Sequence, residues 1–129
     1  MPKFNLNKLV RDGFKSEYAR SGQKAEYKEL TIKNHKSELI RKIIEEALEI
    51  KITDSDDDLI KEIADIEQAL DDFKKINGIN DEQVQNAKQK KFDKIGGFTG
   101  ATFVSTLELK NDDEWVNYYR SRPDIFPEV

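Results

Sequence analysis

The pattern of residues predicts a mostly α-helical fold, an antiparallel helical bundle carrying a small β-hairpin or one pair of strands. Three observations predict it. Apolar residues recur at helical spacing over two long stretches, about 35–52 and 56–76, with capping residues or glycine at their ends. A shorter amphipathic stretch follows Asp81. Only two short segments, 25–32 and 101–109, alternate apolar and polar residues as half-buried strands do.

A chain of 129 residues suits one domain, taken here as 1–129 with its core over about 5–109 and an aromatic tail at 110–129. Charged residues make up 37%, and mean hydropathy is −0.79, so the helices must be strongly amphipathic around a thin core. A net charge of −4 lacks the basic excess of a protein that binds nucleic-acid polymers. The absence of cysteine excludes disulfides and thiolate sites, and His35, the only histidine, excludes a site of several imidazoles. No apolar run approaches the ~18 residues of a membrane span, and the N-terminus lacks a signal-peptide apolar region. A soluble, cytoplasmic protein with no membrane partner is expected.

Taken in order, Phe4 to Asp12 leads to Gly13, a break, after which Phe14 to Arg20 can form a short helix with Phe14 and Tyr18 one turn apart. Ser21-Gly22-Gln23 reads as a turn, and Ala25 to Ile32 as a weak strand. Thr31 or Asn34 can cap the first long helix, His35 to Ile52, whose apolar residues include Leu39, Ile40, Ile43, Ile44, Ala47 and Leu48. The run Thr53 to Asp58 ends that helix and opens the next, because Ser and Asp cap well and acids suit a helix N-terminus. This second helix, Asp56 to Ile76, stops at Asn77-Gly78. Asp81 is expected to cap a third helix that ends in a run of lysines, Lys88, Lys90, Lys91 and Lys94. Gly96 to Gly100 is a flexible turn, and Ala101 to Leu109 is a strand that would pair with the one near Tyr27. The tail, with Trp115, Tyr118, Tyr119 and Phe126, is expected to pack on the body or on another subunit.

The chemistry concentrates in acids at i and i+3: Glu46 with Glu49 on the first long helix, and Glu62 with Asp65 on the second. Such pairs share a helix face, so neighbouring antiparallel helices could bring four carboxylates together. At ~100° per residue, Leu59, Glu62, Ile66, Ala69 and Phe73 fall on one stripe. Glu62 thus interrupts an apolar seam, which is costly unless it is paired or holds a metal. Solvated surface acids are the plainer reading for Glu38, Glu45 and Glu67. Clustered hard oxygen ligands favour Mg²⁺ or Mn²⁺. The acidic run Asp54 to Asp58 is not a calcium loop: Leu59 stands where that loop needs glycine, and helix capping accounts for the acids. Cations beside clustered acids suit a polyphosphate ligand, so the lysine run Lys88, Lys90, Lys91 and Lys94 is a candidate for phosphate contact, and Lys8 and Arg11 could serve the same end.

Glu46-x-x-Glu49, then twelve intervening residues, then Glu62-x-x-Asp65, resembles the all-α nucleoside triphosphate pyrophosphohydrolases of the MazG-like superfamily. Asn7-Lys8-Leu9-Val10-Arg11-Asp12, Ile63-Ala64-Asp65, and Lys90-Lys91-Phe92 before Gly96-Gly97-Phe98 resemble its small, single-domain, phosphoribosyl-ATP pyrophosphohydrolase-like branch. The likeness covers about 5–109; that branch usually continues after Arg-Asp with Lys-Ile-Pro, where this chain has Gly13-Phe14-Lys15. The resemblance implies hydrolysis between the α- and β-phosphates of a nucleotide, giving a monophosphate and pyrophosphate. It implies that Glu46, Glu49, Glu62 and Asp65 hold Mg²⁺, with Glu46 or Glu49 also accepting a proton from water. A homodimer or homotetramer is implied as well. The alternative expectation is a non-catalytic helical oligomer that binds nucleotides or serves as a scaffold.

Overall fold

The computed structural model describes every residue from Met1 to Val129. Five helices are present: α1 (Phe14–Arg20), α2 (Ile32–Glu49), α3 (Asp56–Ile76), α4 (Asp81–Ile95) and α5 (Trp115–Arg120), with one 3₁₀ turn, Ile50–Ile52, extending α2. The chain divides into two compact units, Met1–Lys90 and Lys91–Val129.

The first unit is built on an antiparallel α2–α3 hairpin. Thr31 caps α2, its hydroxyl accepting from the Asn34 N–H at 3.1 Å. The helix therefore starts at Ile32, three residues before the expected His35. Its last turn tightens at Ile50–Ile52, and the Thr53 hydroxyl donates to the Ile50 carbonyl at 2.8 Å, closing the end. Ser55 then accepts from the Asp58 N–H at 3.2 Å, and Asp56, Asp57 and Asp58 occupy the positive end of α3. At the other end, Asn77 donates its side-chain amide to the Phe73 carbonyl at 2.7 Å, and Gly78 takes a left-handed φ of 67°, which reverses the chain. Asn80, rather than Asp81, caps α4. Its side chain accepts from the Gln83 N–H at 2.8 Å while Gln83 accepts from the Asn80 N–H at 2.9 Å, a reciprocal capping box.

The hairpin buries little. Leu39 of α2 and Ala69 of α3 are the buried apolar residues, with Leu59, Ile66 and Phe73 half-buried. Ile40, Ile44 and Leu48 follow one another at single turns of α2 and stay exposed, as do Ile60, Ile63 and Leu70 of α3. Projection of the two antiparallel helices places both sets on the same side of the hairpin, opposite the side that carries Glu49 and Asp65. One face of the hairpin is thus apolar and bare, the other acidic.

The second unit carries the lysine-rich end of α4, the glycine-rich turn and the tail. In the tail the rings of Trp115, Tyr118, Tyr119 and Phe126 gather on α5 and just after it, with the Trp115–Tyr118 centroids at 5.3 Å and the Tyr119–Phe126 centroids at 5.0 Å. Arg122 lies over the Tyr118 ring at 5.2 Å.

The expected hairpin of strands is absent, and two local facts explain it. The alternation near Tyr27 runs straight into Thr31, whose cap hydrogen bond turns the chain into α2. Ala101 adopts a left-handed φ of 56°, incompatible with an extended strand start, and residues 101–108 remain exposed without a ladder. No helix is long and apolar enough to cross a membrane.

Candidate metal centre

Antiparallel pairing of α2 and α3 explains how the acids meet. Leu39 and Glu46 are two turns apart on α2, as are Ala69 and Glu62 on α3. Counting from the turn, the level that sets Leu39 against Ala69 also sets Glu46 against Glu62. Asp65 follows one turn after Glu62 on the same face. Carboxylate oxygens of Glu46, Glu62 and Asp65 all lie within 4.8 Å of one another, an arrangement that could hold a metal ion.

Glu46 and one oxygen of Glu62 are buried, whereas the Asp65 side chain is 37% exposed. Glu46 is 9% exposed and is the one buried charged residue of the chain. Glu62 Oε2 is screened from solvent and has no hydrogen-bond partner, a costly state for a carboxylate oxygen. The Glu62 carboxyl is accordingly pushed up to about 7. The largest cause is a hydrogen bond with the Glu46 carboxyl, which forms only when one of the two carries a proton; burial follows, and then the charges of Glu46, Asp65 and Glu49. Glu49, last residue of α2, stands outside the close trio, yet its charge reaches Glu62.

Cations from the chain already attend these acids. Arg11 donates to Asp65 Oδ1 at 2.6 Å. Lys42 Nζ lies 3.3 Å from Glu46 Oε1 and 3.5 Å from Glu45 Oε2, and Lys8 Nζ lies 3.3 Å from Glu45 Oε1. The N-terminal segment is shaped for this contact. Asn7 takes a left-handed φ of 48°, tolerable for asparagine, and half-buried Leu9 and Val10 seat the segment. The Phe14 N–H donates to the Arg11 carbonyl at 2.9 Å, which fixes the arginine's backbone in the turn that opens α1.

Of the residues singled out in the sequence, the structure thus brings together Glu46, Glu62 and Asp65, with Arg11 bonded to the last. Lys8 is one residue removed, on Glu45. Lys91 and Lys94 are exposed on the last turns of α4, in the second unit. Lys42 was missed by sequence reasoning. Its place at i−4 to Glu46 was the available signal, since that spacing puts the two on one face. The donor set, all carboxylate oxygen around an unpartnered buried atom, fits a hard divalent cation.

No family model, curated protein or solved structure matches this chain.

Proposed function

We propose that this protein is a Mg²⁺-dependent nucleotide pyrophosphohydrolase, cleaving between the α- and β-phosphates of a nucleoside triphosphate to release a monophosphate and pyrophosphate. The observation that carries this reading is the meeting of Glu46, Glu62 and Asp65 around a buried carboxylate oxygen that has no partner. Those three residues would hold Mg²⁺ or Mn²⁺, with Glu49 beside them. When bound, the ion supplies a Lewis acid that neutralises phosphate charge and makes water more acidic.

The chain's own groups have separate tasks. Glu46 or Glu49 accepts the proton of the attacking water, as a positioned carboxylate does in general-base catalysis. Arg11 and Lys8 stand on the acidic face of the hairpin, where their N–H groups can meet phosphate oxygens. For Lys91 and Lys94 the lysine run and the resemblance speak, the resemblance putting them ahead of Lys8 and Arg11. A cytoplasmic setting, with Mg²⁺ and nucleoside triphosphates both at hand, belongs to the same proposal.

Self-association is part of the reading. The apolar face formed by Ile40, Ile44, Leu48, Ile60, Ile63 and Leu70 is matched in length and chemistry by the same face of a second copy. Two such hairpins face to face would bury what one alone leaves in water.

A panel of nucleoside triphosphates, assayed for pyrophosphate with and without Mg²⁺, tests the activity. Metal-dependent release from one or more of them is expected. Nucleotide binding without any release would favour the non-catalytic alternative.

A further inference from the structure

Five carboxylates, Glu45, Glu46, Glu49, Glu62 and Asp65, share one face of the first unit with three cations, Lys8, Arg11 and Lys42. Each of the three cations is held by at least one of these carboxylates. Arg11 is on Asp65 and Lys42 bridges Glu45 and Glu46, so two members of the metal-binding trio carry a resident cation. Negative charge is in excess, and a phosphate arriving alone meets acids in surplus and cations already engaged.

We infer that Arg11 and Lys42 are exchangeable counter-ions, which a divalent cation displaces from Asp65 and Glu46 and which then bind a phosphate-bearing anion beside it. The inference rests on the reading of the trio as a metal site. A divalent ion competes for the same oxygens and brings twice the charge. The Arg11–Asp65 pair is easily displaced, because 56% of the arginine side chain is exposed and such pairs are weak. Once released, Arg11 presents a planar fork suited to phosphate oxygens. Lys42 and Lys8 also line a cavity of about 290 Å³ between residues 6–9 and α2, where Arg41, Glu38 and Glu45 join them. Cation and anion then bind with positive coupling, because each removes what opposes the other.

Two titrations of Arg11→Gln decide the matter, with Arg11→Lys as the charge-retaining control and circular dichroism to verify folding. Calorimetry with Mn²⁺ alone should give binding about 2–5-fold tighter in Arg11→Gln than in the wild type, since a competitor has gone. Calorimetry with pyrophosphate in saturating Mn²⁺ should give binding roughly 10-fold weaker, since a charged donor has gone. Arg11→Lys should fall between the two in both titrations. Opposite signs from one substitution support the exchange. Weaker or unchanged Mn²⁺ binding in Arg11→Gln overturns it while leaving the metal site standing, because Arg11 would then only orient Asp65. Absence of Mn²⁺ binding at millimolar concentration in the wild type overturns the metal site and the exchange together.

Discussion

Arg11 donates to Asp65 Oδ1 at 2.6 Å, tying the N-terminal segment to the middle of α3 across 54 positions of sequence. The contact places a guanidinium at the rim of three converging carboxylates, one of which has a buried oxygen with nothing to bond. An acid group assembled this way is under charge stress in the absence of a cation, and that stress has measurable consequences.

Glu62 makes stability depend on pH. Its carboxyl is raised to about 7 from an ordinary 4.5, so the folded chain holds this proton more tightly than the unfolded chain. The contribution is fully present below pH 4.5 and is lost as pH rises through 7. Metal-free protein is therefore expected to lose stability between pH 5 and 8 at this group, and Glu62→Gln to remove that part of the loss. Urea midpoints of both proteins at the two pH values check this. Equal losses in the two would show that Glu62 is not the group responsible.

Asp65→Asn and Glu49→Gln should separate chemistry from folding. Each is expected to lower metal-dependent pyrophosphate release by at least ~100-fold while far-ultraviolet circular dichroism keeps its helical form. Full activity in Asp65→Asn would remove that residue from the site.

Charge on the bare apolar face should block self-association. Ile44 is 54% exposed in the single chain and lies mid-way along the α2 stripe. Ile44→Glu is expected to convert an oligomer to a monomer in size-exclusion chromatography with light scattering. A wild type that elutes as a monomer at all concentrations would refute the second-copy assignment.

Ser55 supports the hairpin at its turn. Removing its hydroxyl leaves the Asp58 N–H without its 3.2 Å acceptor, and Ser55→Ala is expected to cost about 1 kcal/mol. Chemical denaturation measures it directly, and an unchanged midpoint would mean that solvent replaces the cap.

Much of the helical architecture is legible in local pattern, because what sets a helix is a repeat of apolar residues and a capping side chain a few positions away. The bounds of α3, Asp56–Ile76, follow from Ser55 and Asp58 at one end and Asn77-Gly78 at the other. The strands fail for the same reason: alternation at 101–109 is a local signal, but a strand needs a distant partner, and Ala101 turns the backbone away. The candidate site divides similarly. Spacing puts Glu46 with Glu49, and Glu62 with Asp65, on single helix faces, and the apolar seam marks Glu62 as an acid facing the core. Tertiary structure alone decides which acids touch. The level at which antiparallel α2 meets α3 opposes Glu46 to Glu62 and leaves Glu49 outside the trio. Only the path of the N-terminal segment brings Arg11 to Asp65. Helical periodicity acts over four residues, whereas these contacts span between 16 and 54 positions, beyond the reach of any local rule.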